Sequence, residues 1–291
     1  MSDAANPRRW EQVTDPDDPR VGDFTALNDP VLRRRVERAG DYFVVEGVLA
    51  IERLLALPQW QIRSLLFLPK VAERLGESGL FRQRFGSDAG EGVPVLVADE
   101  AVLSEVVGFD LHRGALAAVD RHPKVDLAVG ATTVADLSPH GAPIVVAERV
   151  NDHENLGALY RNAAAFGVGS VVVDPTCADP FYRRSVRVSL GHVLALPTFH
   201  AGTFPEGLQH LHDLGVITVA LTPQGDEDLH DLDRGSLGNA PVALLVGAEG
   251  PGLSAATLAA AHHRVAIKMA SDVDSLNVAT AAAVALHHLV R

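Results

Sequence analysis

An uninterrupted apolar run, Val242-Ala243-Leu244-Leu245-Val246, constrains the fold of this chain most strongly. A strand that is buried on both faces of a parallel sheet needs such a run, because helices cover both faces. Gly247, Gly250 and Gly252 follow it and allow a tight turn that exposes backbone amides at the carboxyl end of the strand. Their spacing matches neither the dinucleotide fingerprint nor the phosphate loop with its lysine, so a structural turn and a ligand-binding turn both remain open.

The same arrangement recurs further along the chain. Val265-Ala266-Ile267 reads as a second strand and is followed by a short polar loop. Ser275 is predicted to be the N-cap of the alanine-rich helix that runs towards Arg291. Because the carboxyl ends of parallel strands share one edge of a sheet, we expect the two loops and the helix start to form one pocket.

The chain is long enough for two domains, with 291 residues of which 47% are hydrophobic. Residues 1–21 are polar and rich in Asp and Pro, which predicts a mobile tail. Alternating strand and helix patterns over residues 22–121 predict a small α/β/α sandwich that serves as a recognition module. The pattern weakens over residues 122–141, which we interpret as a linker. Residues 142–291 resume the alternation as a second α/β domain.

The charge of the chain gives a mixed signal about nucleic acid. A net charge of −12 argues against a polyanionic partner, because phosphate neutralisation dominates affinity for nucleic acid. Two arginine clusters provide local positive charge that favours contact with nucleic acid. Such clusters are also typical of a solvated helix face. The residues that we expect to contact RNA are Arg33, Arg34, Arg35 and Arg38 in the first cluster and Arg183, Arg184 and Arg187 in the second.

Cysteine and histidine usage excludes several kinds of site. Cys177 is the single cysteine, which excludes an internal disulfide and a cysteine-rich zinc site and agrees with a reducing compartment. The histidines show no metal-ligand spacing, so we expect no metal. The apolar runs are far shorter than the roughly 20 residues of a membrane helix, and the N-terminus lacks the apolar core of a signal peptide. A cytoplasmic protein with no membrane partner is expected.

Three segments of the second domain, in this order, resemble the motifs of the SpoU/TrmH family of SPOUT RNA methyltransferases. They are NDHENLGALYRNA at residues 151–163, GAEGPGL at 247–253, and IKM with SLNV at 267–269 and 275–278. The first domain resembles the L7Ae/L30-like RNA substrate-binding domain through FVVEG at 43–47 and HRGALA at 112–117. The resemblance covers nearly the whole chain after the predicted tail.

The resemblance implies methylation of a ribose 2′-hydroxyl in RNA with S-adenosylmethionine as methyl donor. It also implies a homodimer and a C-terminal SPOUT domain with a trefoil knot at the cofactor pocket, which periodicity alone does not predict. The implied catalytic residues are Asn155, Arg161, Glu249, Ser275 and Asn277. The implied cofactor-binding residues are Leu221, Thr222, Gly247, Glu249, Gly252, Ile267, Met269, Ser275 and Leu276.

Arg161 is expected to act by electrostatics. It would stabilise the developing alkoxide or hold the adjacent phosphate through two hydrogen bonds. A guanidinium stays protonated in proteins and is a poor general base, so we expect a phosphate of the target or a water to take the proton.

One departure from the family pattern bears on catalysis. Lys268 stands where the family usually has Pro, and a cation beside a cationic cofactor weakens binding unless it points away. A blocked pocket would favour the main alternative, a non-catalytic RNA-binding or ribosome-assembly protein on the same fold. Ribosomal RNA is preferred over transfer RNA as the partner, because the first domain resembles ribosomal-protein-like modules. A nucleotide-binding Rossmann enzyme is poorly supported by the glycine spacing.

Overall fold

The computed structural model describes residues 10–86, 92–111, 114–232, 235, 237–270 and 273–290, with the backbone alone at residues 30, 33, 34 and 38. The chain divides into two compact units. The first unit consists of Met1–His122 and Phe181–Ala195, and the second consists of Pro123–Pro180 and Leu196–Arg291.

Helices and strands alternate along most of the chain. The elements up to residue 137 are β1 (Glu11–Val13), α1 (Pro30–Gly40), β2 (Tyr42–Glu46), α2 (Val48–Leu55), β3 (Ile62–Phe67), α3 (Pro69–Glu77), α4 (Gly79–Phe85), β4 (Val95–Ala98), α5 (Glu100–Val107), β5 (Ala115–Asp120), β6 (Val125–Asp126), α6 (Leu127–Gly130) and α7 (Val134–Leu137). The remaining elements are β7 (Ile144–Glu148), α8 (His153–Ala165), β8 (Ser170–Val173), α9 (Arg183–Val188), β9 (Thr198–His200), α10 (Glu206–Asp213), β10 (Ile217–Leu221), β11 (Glu227–Asp228), β12 (Val242–Gly247), α11 (Ala255–Ala260), β13 (His263–Ala266) and α12 (Val278–Leu289).

The first unit is built on a mixed sheet with the strand order β1-β4-β3-β5-β2. Strand β5 runs antiparallel to β2 and β3, whereas β4 runs parallel to β1 and β3. Helix α2 packs against β2 and β5, and α3 packs against β4. The Asp29 carboxylate caps the start of α1, because it accepts hydrogen bonds from the Val31 and Leu32 amides at 2.9 Å each. The L7Ae/L30-like character of this unit stays a prediction.

The N-terminal segment differs from the predicted mobile tail. Strand β1 pairs in parallel with β4, and Val13 and Val21 are buried in the core of the first unit. Arg20 Nη1 also lies 2.8 Å from a carboxylate oxygen of Glu11. The tail was predicted from polar composition, but a few apolar side chains that reach the core are enough to order a short segment. Residues 1–9 of the predicted tail lie outside the described residues.

The first unit also contains a segment from the predicted second domain, Phe181–Ala195. Arg183 of α9 forms a salt bridge with the carboxylate of Glu46, and Arg187 Nη1 lies 3.3 Å from the same carboxylate. Glu46 is only 4% exposed, and a buried carboxylate requires such partners. The predicted boundary at residue 142 therefore does not separate the two units, because this later segment satisfies a charge of the first.

The second unit is built on a sheet with the strand order β11-β13-β10-β12-β7-β8-β9-β6. Its strand pairs run parallel, and β12 lies between β10 and β7 with all six residues buried. This confirms the mixed α/β fold class and the prediction of a strand buried on both faces. The predicted linker over 122–141 differs, since β6, α6 and α7 belong to this unit and β6 pairs with β9. The trefoil knot stays a prediction.

A histidine pair in the second unit predicts how stability depends on pH. The Thr218 hydroxyl lies 3.2 Å from His212 Nε2 and 2.9 Å from His262 Nδ1. The pKa of His212 is lowered, chiefly by burial and then by His262. An unfolded histidine titrates near about 6.5, so below that pH the unfolded chain binds more protons than the folded one. We therefore expect full stability above about pH 6.5 and a falling melting temperature as the pH drops further.

Thermal unfolding between about pH 8 and pH 5 tests this expectation. His212→Gln keeps a polar group near Thr218 but does not titrate, so its melting temperature should fall less steeply than that of the natural chain. His140→Gln is the matched control, because His140 is exposed. Equal slopes for the natural chain and His212→Gln would contradict the assignment to His212.

Candidate active site

A pocket in the second unit opens at the carboxyl ends of β10 and β12, beside the start of α12. The residues that the sequence predicted as cofactor-binding line this one pocket: Leu221, Thr222, Gly247, Glu249, Gly252, Ile267, Met269, Ser275 and Leu276. Further lining residues that the sequence analysis did not identify are Pro223, Val246, Ala248, Gly250, Val278 and Ala281. Val278 and Ala281 are three residues apart on α12 and share a face, so helical spacing would have identified them.

The glycine loop, which we define as residues 248–254, forms one wall of the pocket. It folds back on itself, with the Gly252 amide donating to the Ala248 carbonyl at 2.9 Å. Gly250 and Gly252 have left-handed backbone angles, φ 83° and φ 67°, which favour glycine. A Cβ on Gly247 would overlap the backbone of Gly252 and Leu253. Glycine at position 247 is thus required by the close approach of the loop.

Asn277 connects the three predicted motifs. Its Oδ1 accepts hydrogen bonds from the Ala279 and Thr280 amides at 3.0 and 3.2 Å, so Asn277 is the N-cap of α12, which corrects the prediction that Ser275 caps it. These bonds leave Nδ2 as the donor of the side chain. Nδ2 donates to Asn155 Oδ1 at 2.7 Å and to Glu249 Oε1 at 3.1 Å. Each of the three motifs therefore contributes one side chain to a hydrogen-bonded cluster.

Helix α8 carries both first-motif residues that were predicted to be catalytic. Asp152 is its N-cap, accepting from the Glu154 and Asn155 amides at 2.8 and 2.9 Å, so Asn155 is free of a capping role. Arg161 is exposed and does not line the pocket. Within the described part of the chain no hydrogen bond or ion pair engages its guanidinium. The structure therefore brings Asn155 to the Asn277 cluster and leaves Arg161 open to a ligand.

Lys268 does not obstruct the pocket. Its neighbours Ile267 and Met269 line the pocket, whereas Lys268 is exposed and absent from the lining. The feature that favoured a non-catalytic protein is therefore directed away from the proposed cofactor.

The arginines predicted to bind RNA differ in exposure and in whether they pair with a carboxylate. The side chains of Arg33, Arg34 and Arg38 lie outside those described, and Arg35 is exposed. Arg184 is also exposed. Arg183 and Arg187 form the pairs with Glu46 given above, so they have a structural contact whether or not RNA also contacts them. Binding of RNA by either cluster stays a prediction.

Among the described residues, no helix has the length and apolar composition that a membrane span requires. No three His, Cys, Asp or Glu side chains in the same part of the chain are grouped so that they could hold a metal ion. Burial raises the pKa of the Cys177 thiol to about 12, which makes it a poor nucleophile or metal ligand at neutral pH.

The chain is similar to known methyltransferases. The model of the SpoU rRNA methylase family matches residues 142–287. A relative described as an uncharacterized tRNA/rRNA methyltransferase, from Mycobacterium tuberculosis, is 41% identical over 97% of this chain and 92% of its own length.

Two solved structures extend the similarity to both units. An AdoMet-bound rRNA methyltransferase from Sinorhizobium meliloti has a TM-score of 0.75 and 26% identity, covering 97% of each chain. An RNA 2′-O ribose methyltransferase has a TM-score of 0.69 and 26% identity, also covering 97% of each chain. The pocket, its three-motif cluster and these similarities agree, and the chain belongs to the SpoU rRNA methylase family.

Proposed function

We propose that this protein transfers a methyl group from S-adenosylmethionine to a ribose 2′-hydroxyl of RNA, with ribosomal RNA as substrate. The observation that carries the proposal is the Asn277 side chain, which hydrogen-bonds to both Asn155 and Glu249 beside the pocket. Similarity over 97% of the chain to an RNA 2′-O ribose methyltransferase supports the ribose as the methylated group.

S-adenosylmethionine is the methyl donor of the family and supplies a methyl group already activated by a positive sulfur. The pocket fits this donor, because apolar side chains for an adenine ring stand beside glycine backbone for its polar edges. Leu221, Ile267 and Leu276 would provide the apolar contacts, and Gly247 and Gly252 the backbone. Glu249 and Ser275 add polar groups to the lining.

The residues of the chain then have to align the hydroxyl and stabilise charge on its oxygen. Asn155, oriented by its hydrogen bond with Asn277, would hold the ribose at the edge of the pocket. Arg161, exposed on the same helix, offers charge-assisted hydrogen bonds to the developing alkoxide or to the adjacent phosphate. Since a guanidinium stays protonated, the proton leaves to a phosphate of the RNA or to water.

Ribosomal RNA is proposed as substrate because of the first unit. Its sequence resembles L7Ae/L30-like modules that recognise folded RNA, which is an analogy at the level of fold. The match to the SpoU rRNA methylase family agrees with this choice. Transfer RNA is the alternative substrate.

The experiment has a binding step and a transfer step. We expect calorimetric titration to detect binding of both S-adenosylmethionine and S-adenosylhomocysteine. The protein is then incubated with radiolabelled donor and either unmodified ribosomal RNA or unmodified transfer RNA. We expect label in ribosomal RNA, within alkali-resistant dinucleotides, since a methylated 2′-oxygen cannot attack the neighbouring phosphate.

Each other outcome changes a specific part of the proposal. Label in a base would contradict the ribose as acceptor, and label in transfer RNA alone would contradict the substrate class. If neither ligand binds, with or without RNA, the protein is the non-catalytic RNA-binding alternative.

We also propose that the protein is a homodimer. Val284 of α12 and Val290, the residue after this helix, are each 43% exposed, and a second copy would remove such side chains from water. Light scattering is expected to give twice the 30.9 kDa mass of one chain.

A further inference from the structure

The turn after β7 contains an arginine in a costly conformation. Arg149 has a left-handed backbone, with φ 58°, which for a residue other than glycine costs about 1–2 kcal/mol. Its amide donates to Asp174 Oδ1 at 3.2 Å, and Asp174 also accepts from the amides of Thr176 and Cys177. The surrounding turn thus fixes the Arg149 backbone, and with it the direction of the side chain.

The Arg149 side chain contacts the glycine loop. Its Nη2 donates to the Gly252 carbonyl at 3.0 Å. Its Nε is buried without a hydrogen-bond partner in the described structure and lies 3.8 Å from a carboxylate oxygen of Glu148. The guanidinium therefore sits between a buried carboxylate and the loop.

Glu148 contacts the same loop two residues further on. Glu148 is buried, 4% exposed, and its Oε2 accepts a hydrogen bond from the Ser254 amide at 3.0 Å. Two consecutive residues at the end of β7 thus engage the carbonyl of Gly252 and the amide of Ser254. The Gly252 contact uses the cationic side chain of Arg149, and the Ser254 contact uses the anionic side chain of Glu148. Hydrogen bonds to charged groups are stronger than those between neutral groups.

The position of Gly252 determines the shape of one wall of the pocket. Gly252 lines the pocket, and its backbone approaches Gly247 so closely that no Cβ fits there. The glycine loop, which contains Gly250 and Gly252, has many accessible conformations when nothing holds it. Ordering such a loop during binding would cost affinity, which a preorganised loop avoids.

We propose that Arg149 and Glu148 are positioning residues that hold the glycine loop in its cofactor-binding conformation. The inference rests on the proposed cofactor site and assigns these two side chains no contact with the donor. Loss of Arg149 should therefore weaken the donor's binding and raise its KM, while kcat at saturating donor stays nearly unchanged.

Arg149→Gly tests this, because it removes the guanidinium and also relieves the left-handed strain. Relief of the strain should offset part of the stability that is lost with the ion pair to Glu148, so the melting temperature should lie above that of a variant that keeps the strain. The dissociation constant for S-adenosylhomocysteine, measured without RNA, should rise about tenfold, the typical effect of losing one charge-assisted hydrogen bond. Since the Arg149 side chain is 39% exposed, the variant is expected to fold.

Two further variants separate strain from positioning. Arg149→Ala keeps the left-handed strain, so its melting temperature should be lower than that of Arg149→Gly while its affinity is the same. His140→Gly is the matched control, since His140 has φ 55° and is exposed outside the pocket. It should gain stability without any change in affinity.

Hydrogen exchange of the glycine-loop amides in the free protein supplies a direct readout. Exchange in this loop should be faster in Arg149→Gly than in the natural chain. An unchanged affinity in Arg149→Gly would overturn the proposal, and so would weaker binding with unchanged exchange, which would indicate direct contact with the donor. Because this affinity is measured without RNA, a wrong assignment of the methylated group would leave the result unaffected.

Discussion

Replacing Arg161 by alanine is expected to reduce methyl transfer by about 10²–10³-fold, the typical effect of removing a group that stabilises developing negative charge. Arg161 is exposed on α8 and does not line the pocket. Affinity for S-adenosylhomocysteine should therefore stay within about twofold, because no cofactor contact is lost. The loss should appear in kcat with RNA saturating, since removing an interaction that is made only in the transition state lowers kcat.

Arg82→Ala provides the control for this prediction. Arg82 is also an exposed arginine on a helix, where Nη2 donates to the Glu77 carbonyl at 2.8 Å, but it lies in the first unit. Its removal should leave kcat unchanged. Loss of cofactor binding in Arg161→Ala would show that Arg161 supports the structure of the pocket instead. Normal turnover in that variant would remove Arg161 from the mechanism.

The second unit could be predicted well from the sequence because its signals are local and strong. Five consecutive apolar residues from Val242 predicted β12, and the structure buries that strand completely. Glycines at the end of such a strand indicate a close backbone approach, which Gly247 shows. The motif resemblance then selected residues whose positions converge on one pocket. Sequence periodicity alone would have given the strand and the turn but no ligand.

Features that depend on distant partners could not be predicted in this way. Composition gives no sign that Glu46 is buried, so nothing indicated that Arg183 and Arg187 would pair with it. The N-cap of α12 illustrates a different limit. Ser275 and Asn277 both suit a capping position, and only the structure shows that Asn277 accepts the two helix amides.

Arg149 was missed because it precedes the first motif and has no distinctive sequence pattern. Its left-handed backbone angle is visible only in the structure, as is its hydrogen bond to Gly252, about a hundred residues later in the chain. A strained residue next to a binding loop is a common sign of function, but sequence propensity predicts an ordinary arginine there.

Gly247→Ala is expected to abolish detectable cofactor binding. The added methyl group would overlap the backbone of Gly252 and Leu253, and backbone cannot rotate away as a long side chain can. The glycine loop would have to move, and a displacement on the order of 1 Å of a binding group can cost about a hundredfold. Calorimetric titration with S-adenosylhomocysteine checks this result. Overpacking should also lower the free energy of unfolding by about 1–3 kcal/mol.

Gly202→Ala is the matched control for this prediction. It makes the same chemical change in the second unit, where an added Cβ meets no atom within 4 Å, so affinity and stability should both be retained. If Gly247→Ala folds and binds S-adenosylhomocysteine normally, the glycine loop tolerates displacement and cannot be the wall that shapes the cofactor pocket. The proposed role of Arg149 would then fail as well, because it depends on the position of the same loop. If Gly247→Ala loses cofactor binding but keeps the melting temperature of the natural chain, the substitution has changed the pocket without destabilising the fold.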